Sequence, residues 1–255
     1  MRIAYDVIGN RNKAVAIMDS RPENGEKAAA KEIMERCPNV KSVLMKGSPR
    51  EGVYRIYSLR LIAGDKDTEV VHREHGLIFK LDPQKVYFSP RESTERQKMA
   101  VMVKPRERVL VMFSGISPFG IAIAKHQPTA EVVCVEINKE AHDYAEQNVR
   151  LNRAYNVKNY CWDVRDATGL GKFDRILMPL PESAVNFLDV AFASAKRGAI
   201  IHLYGISREK GFRDLKSAVA LAAKQCGKRI RIVSAHKVLP YAPFTVKARV
   251  DIKML

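Results

Sequence analysis

The sequence predicts an α/β protein of 255 residues: a mainly parallel, doubly wound sheet over 106–255, with an antiparallel C-terminal edge, behind a small α+β unit. Three observations carry this. Between residues 106 and 206 short apolar runs alternate with segments of helical spacing, and strands that are apolar throughout need cover on both faces. The first of these runs leads into a turn of small residues, where such a sheet opens a crevice for a ligand. Before residue 88 the pattern changes to one helical segment among several strands.

The elements follow in order. Residues 14–18 (AVAIM) form an apolar strand, and the Lys- and Glu-rich stretch 24–37 has helical spacing. Strands are expected at 42–45 and at the alternating VYRIY of 53–57, and a strand pair at 69–72 and 76–80. Residues 92–103 can be helical, so the link between the two units is a helix rather than a tether. The C-terminal unit then reads as strand 108–113, turn 114–118 and helix 119–126. It continues with strand 131–136, helix 139–152 and strands at 157–161 and 173–178. Helix 183–196, strand 198–204 and helix 211–225 come next, and strands at 229–235 and 245–252 close the chain. The expected organisation is 1–88 as the α+β unit, 89–105 as the linker helix and 106–255 as the doubly wound unit.

Charge is the informative part of the composition. Forty-four Lys and Arg against 28 Asp and Glu leave a net +16, which favours a polyanionic partner through phosphate neutralisation and counterion release. No apolar run approaches the roughly 20 residues of a membrane span, and residues 1–10 carry Arg2 and Asp6 without the apolar core of a signal peptide. A cytoplasmic protein is expected. The four cysteines are scattered without CxxC spacing, so neither a metal site nor a disulfide framework is expected.

Three features converge where the sheet's crevice should lie. The turn FSGISP at 113–118 is built of small residues that let backbone amides approach a ligand. Glu136 ends the second strand, where a carboxylate can accept both hydroxyls of an adenosine ribose, and Asp163 follows the third, where an acid can accept from an adenine amino group. Taken alone, Glu136 reads equally well as a cap for the helix after Asn138. The turn has one glycine rather than GxGxxG, which argues against a dinucleotide and for a mononucleoside cofactor such as S-adenosylmethionine.

Along nearly its whole length the chain resembles the archaeal and eukaryotic-type tRNA (guanine-37-N1)-methyltransferases and their relatives, the aminocarboxypropyl transferases of wybutosine synthesis. The resemblance is carried by YDVIGN (5–10), TEVVHREHG (68–76), LDPQKVYFSPR (81–91) with TER (94–96), MFSGISPF (112–119), residues 148–152, and LPESA (180–184) with FL (187–188). It implies a Rossmann-like class I methyltransferase domain. It also implies methyl transfer from S-adenosylmethionine to N1 of the guanine 3′ of the anticodon, on a tRNA anticodon stem-loop bound by a monomer. Guanine N1 carries a proton, so a general base must remove it while charge builds on O6. The family's base maps onto Glu95, its guanine-contacting arginine onto Arg55, and Tyr87 and Arg91 match positions near the target nucleotide. Without the resemblance, Glu95 reads as a solvated glutamate of a charged helix and Arg55 as an outward strand residue. The cofactor is expected at Met112, Phe113, Ser114, Gly115, Glu136 and Ile137, and further at Asp163, Val164 and Pro179.

The chain also departs from the family. Val111 stands where many members end the first strand in an acid, and Ser117 replaces a second glycine of the turn. Pro179 replaces the asparagine of an Asn-Leu-Pro motif that helps to hold the target guanine, and proline offers neither a side-chain donor nor a backbone N–H. An aminocarboxypropyl transferase and a non-catalytic tRNA-binding protein are therefore the alternatives. Many members carry an additional N-terminal domain that checks the tRNA elbow. With this chain starting at YDVIG, reliance on anticodon-loop contacts and general basic charge is expected.

Overall fold

β2 (Ala14–Met18) is buried at every position because it lies inside a four-stranded sheet, ordered β1 (Tyr5–Gly9), β2, β3 (Val40–Lys46), β4 (Leu59–Gly64). The computed structural model describes residues 4–19, 22–23, 25–47, 58–208 and 210–255; the strand expected at 53–57, and Arg55 with it, lies outside them. β2 and β3 run parallel, joined through α1 (Glu26–Arg36), whose Ala29, Ala30 and Ile33 cover Ala14, Ala16 and Met18. The other face of β2, Val15 and Ile17, joins the main core. β1 and β4 went unread in the sequence, since each is only partly buried at most of its positions and shows little apolar alternation.

β5 (Val70–Glu74) and β6 (Leu77–Leu81) form an antiparallel hairpin. Its two-residue turn, His75–Gly76, has φ of 46° and 78°, the positive values that match the twist of paired strands. Two asparagines of α4 (Lys139–Asn152) fasten β6. Asn152 accepts from Ile78 N at 2.9 Å and donates to Ile78 O at 2.6 Å. Asn148 accepts from Lys80 N at 2.7 Å and donates to Lys80 O at 3.1 Å. Residues four apart on a helix advance about 6 Å, close to the about 6.8 Å between alternate strand residues, so the two amides mimic a neighbouring strand. Asn148→Ala should leave an amide and a carbonyl of β6 unpaired and lower unfolding free energy by about 1–3 kcal/mol, measured by denaturant titration. The hairpin also bonds to the N-terminal sheet, through Gly9 N to His72 Nδ1 at 3.2 Å and Asn10 Nδ2 to Val71 O at 2.7 Å. The boundary proposed at residue 88 thus passes beside a hairpin held from both sides.

The large sheet is ordered β12 (Ile230–Ala242), β13 (Thr245–Met254), β11 (Ala195–Ser207), β10 (Phe173–Met178), β7 (Arg108–Met112), β8 (Glu131–Val135), β9 (Val157–Tyr160). Pairings from β9 to β11 are parallel, and β13 runs antiparallel to both β11 and β12. Alternate residues of β7 enter different cores. Val109 and Val111 meet α2 (Ser93–Met102), α3 (Pro118–His126) and α4. Leu110 and Met112 meet α5 (Leu188–Ser194) and α6 (Arg213–Gln225). This two-sided burial is what the continuous apolar runs require. β11 starts earlier than the strand expected at 198–204: Ala195 already pairs with Phe173, so the helix stops at Ser194 and is preceded by a 3-10 turn, Ala184–Phe187. The strand order reverses between β7 and β10, which opens the crevice above their C-terminal ends. Among the described residues no helix is long and apolar enough to cross a membrane.

Candidate functional site

The turn after β7 is a string of left-handed residues. Phe113, Gly115 and Ser117 have φ of 53°, 55° and 61°. Glycine takes this region freely; the two others are held. Phe113 packs edge-on against Phe187, with centroids 5.0 Å apart. Ser117 donates from its hydroxyl to Asn159 Oδ1 at 2.5 Å. The turn thereby carries its amides to the crevice, and Gly115 N donates to Glu136 Oε2 at 2.8 Å. Glu136 Oε1 accepts from Asn138 N at 2.8 Å. Both carboxylate oxygens are therefore oriented before any ligand enters, and the residue is only partly buried. Burial pushes this carboxyl above the usual carboxylate range, and the amides of Asn138 and Gly115 pull it part of the way back. The helix cap of α4 is Asn138, whose side chain accepts from Glu140 N at 3.0 Å, so Glu136 does not serve as that cap. A half-open acid beside a backbone amide at the switch point suits a ribose diol.

The remaining expected residues lie at or just after the C-terminal ends of β7, β8, β9 and β10. Met112 and Val164 are buried in the core and Ile137 is exposed. Asp163 accepts from Arg165 N at 2.9 Å and pairs with the Arg165 guanidinium at 2.8 Å. It caps the following 3-10 turn, Val164–Leu170, and stays partly exposed. Pro179 sits partly buried at the end of β10.

A second space adjoins the first. A cavity of about 570 Å³ is walled by Asp6, Ile17, Asp19 and Lys46 of the N-terminal sheet, by the 86–92 segment, by Pro181, and by Leu239–Tyr241 and Lys247 of the last hairpin. Tyr87 lines it, and its carbonyl oxygen would lie 3.7 Å from a Cβ at Gly115, so the 113–117 turn and the cavity touch. Arg91, expected to hold phosphate or guanine, is engaged by two carboxylates: Asp6 at 2.5 Å and Asp19 at 2.9 Å. It clamps the first sheet to the linker. Burial would raise the Asp19 carboxyl, but hydrogen bonds from Lys46 and Arg91 outweigh it and hold it below the usual range.

Glu95 is not among the residues lining the cavity. It lies one layer behind, 6% exposed, where Oε1 accepts from Tyr204 Oη at 2.8 Å and from Arg249 Nη1 at 2.5 Å. Arg249 continues to Asp251 at 2.8 Å, Asp251 to His202 at 2.7 Å, and His202 to Arg175 at 2.7 Å. Burial drives the His202 ring below its usual pKa, against the pull of Asp251. The structure thus brings Tyr87 and Arg91 to the cavity and Glu136, Gly115, Asp163 and Pro179 to the strand ends at the crevice, while Glu95 is buried against Tyr204 and Arg249. Sequence reasoning missed Glu92, Lys247 and Arg249. Their only signal is the alternation of Lys247, Arg249 and Asp251 along β13, which in a terminal strand reads as a solvated face.

Residues 70–232 match the TRM5/TYW2 methyltransferase domain family. The tRNA (guanine(37)-N(1))-methyltransferase Trm5b of Pyrococcus abyssi is 37% identical over 98% of this chain and 74% of its own length. The tRNA 4-demethylwyosine(37)-methyltransferase Taw21 of Saccharolobus solfataricus is 36% identical, over 82% of this chain and 80% of its own. Among solved structures, the complex of aTrm5 with tRNALeu superposes with a TM-score of 0.86 at 28% identity, covering 100% of this chain and 73% of that one. Pyrococcus horikoshii TYW2 in complex with MeSAdo gives 0.82 at 30% identity, over 99% and 90% of the two chains.

Proposed function

Because the chain belongs to the TRM5/TYW2 methyltransferase family, we propose that it uses S-adenosylmethionine to methylate N1 of guanine-37 in tRNA. The observation that carries this is the contact between two sites: the Glu136–Gly115 clasp at the switch point and the cavity walled by Tyr87 and Lys247. The donor, when bound, supplies an electrophilic methyl on a sulfonium. Glu136 would hold its ribose, the Ser114–Gly115 turn its tail and Asp163 its adenine. The target guanine leaves its stack and enters the cavity, where Tyr87 offers an aromatic face. Glu95 is the proposed proton acceptor for N1, exchanging its Tyr204 contact for the N1–H as the base enters; apo geometry often lacks the productive hydrogen bond. The net charge of +16 favours the phosphate backbone.

Mass spectrometry of nucleosides from tRNA incubated with the protein and labelled donor tests the reading. N1-methylguanosine with S-adenosylhomocysteine is expected. Release of 5′-methylthioadenosine would instead mean aminocarboxypropyl transfer, and an unmodified tRNA would mean binding without catalysis.

One observation favours a second reading. Pro179 can offer no side-chain amide to guanine, and the Saccharolobus relative, matched over most of both chains, is a 4-demethylwyosine methyltransferase. The same methyl transfer onto that tricyclic base would appear in the same assay when tRNA carrying it is supplied.

Glu136→Ala should weaken donor binding. Hydrogen bonds to a charged group contribute about 1.5–3 kcal/mol, or on the order of 10- to 100-fold in Kd. Calorimetry with S-adenosylmethionine measures this, and an unchanged Kd would remove the ribose assignment.

A further inference from the structure

The cavity contains an ion pair that the proposed reaction leaves unused. Glu92 and Lys247 are 6% and 2% exposed, and Lys247 Nζ lies 2.9 Å from Glu92 Oε1. Removing two charges this far from water costs about as much as their attraction returns, so such a pair at a ligand cavity is a candidate for function rather than for stability. Its position is set by matched periodicities. Alternate residues of β13 share one face, and Lys247 and Arg249 meet Glu92 and Glu95, three residues apart on the linker. The Tyr204 ring centroid lies 5.1 Å from Lys247 Nζ, and Tyr87 Oη donates to Glu92 Oε1 at 3.3 Å.

An ammonium has three N–H donors and no acceptor. Among the described residues, Lys247 is held by the Glu92 carboxylate as an ion pair and sets its charge against the face of Tyr204; no other acceptor engages it. Both members of the pair line the cavity, so a donor remains for an acceptor that the ligand brings. We propose that Lys247 is a further catalytic residue, the cation that meets guanine O6 as N1 loses its proton, and that Glu92 is the positioning residue that holds it there. The inference rests on the guanine reading above. When the N1 proton leaves, the electron pair it releases delocalises onto O6. A fixed ammonium at O6 stabilises that developing charge more than it stabilises the neutral carbonyl, which is the condition for lowering the barrier.

The test uses tRNA with guanine or 6-thioguanine at position 37, in single turnover with saturating S-adenosylmethionine. Sulfur carries the developing charge with little need of a hydrogen bond. K247M should lose on the order of 100-fold or more on guanine, K247R should recover part of it, and on 6-thioguanine the K247M loss should shrink below about tenfold. E92Q should lower the rate in the same direction while leaving KM for tRNA unchanged. Donor affinity, by calorimetry, should match wild type in each variant. Should K247M lose donor binding through misfolding, the apolar double variant E92L/K247M restores the packing and should show the same rate loss. An equal K247M loss on both bases, or none on guanine, overturns the proposal. Wild-type protein that methylates neither base removes the guanine reading itself, and this proposal with it.

Discussion

Glu95→Gln will reduce methyl transfer to guanine-37 by about 10²- to 10⁴-fold, the range of a lost general base, without loosening the fold or the donor site. The variant is chosen for its neighbours. The substituted amide keeps an oxygen for the Tyr204 hydroxyl, which in the wild type donates to Glu95 at 2.8 Å. Arg249 stays paired with Asp251 at 2.8 Å, so no cation is stranded. What disappears is the capacity to take a proton. Single-turnover rates on transcribed tRNA, with donor Kd measured alongside, separate the two effects. A Glu95→Gln enzyme with wild-type turnover and wild-type Kd would end the base assignment and leave Glu95 as a structural partner of Tyr204 and Arg249.

The second large effect falls on stability. Arg96 is 1% exposed and grips Glu74 with two nitrogens, at 2.6 and 2.5 Å. It also donates to Ser89 O at 3.0 Å and lies 4.9 Å from the Phe88 ring centroid. One side chain thus joins β5, the 86–92 segment and α2. Burial would raise the Glu74 carboxyl, but hydrogen bonds from His72 and Arg96 outweigh it and the pKa is lowered. Arg96→Met leaves a buried carboxylate with only the His72 contact. Breaking such a pair costs about 3–5 kcal/mol, a fall in Tm of roughly 6–20 °C for a chain of this size.

The pH dependence carries the sign of the cause. In the wild type Glu74 has a depressed pKa, so its contribution is present above the unfolded value, near about 4.3, and is lost as pH falls through the folded value. In the variant the unpaired carboxyl is raised, so the penalty is full at neutral pH and disappears as the group protonates. The gap in Tm between the two proteins should therefore narrow between about pH 7 and about pH 4. A gap that stays constant with pH would mean that lost packing against Phe88, not the stranded charge, sets the loss.

The crevice was legible in the sequence because its parts are local. A strand apolar on both faces, a turn of small residues and an acid at the end of the next strand occupy fixed ordinal places in a doubly wound sheet, and Gly115 and Glu136 meet there at 2.8 Å. The helix 139–152 was likewise readable end to end, since its amphipathic spacing lies within one segment; its cap was not, because Asn138 rather than Glu136 accepts from Glu140 N. β1 and β4 were not readable, because partly buried strands lack both a clean alternation and a continuous apolar run.

The partners of residues 92–96 and 247–251 were decided only by the tertiary structure. In sequence, Glu92, Glu95 and Arg96 look like the charges of a solvated helix, and Lys247, Arg249 and Asp251 like the wet face of a final strand. β13 does not lie at the edge, however; it is inserted between β11 and β12, so its charged face is covered by the linker helix. Once covered, each charge needs a partner, because an unpaired one would cost several kcal/mol. The period of two along the strand and of three to four along the helix bring Lys247 to Glu92 and Arg249 to Glu95. A local pattern records which residue types are present and how they are spaced. Which of them lose their water depends on contacts 154 positions apart in the chain, and these exist only once the sheet has closed over α2.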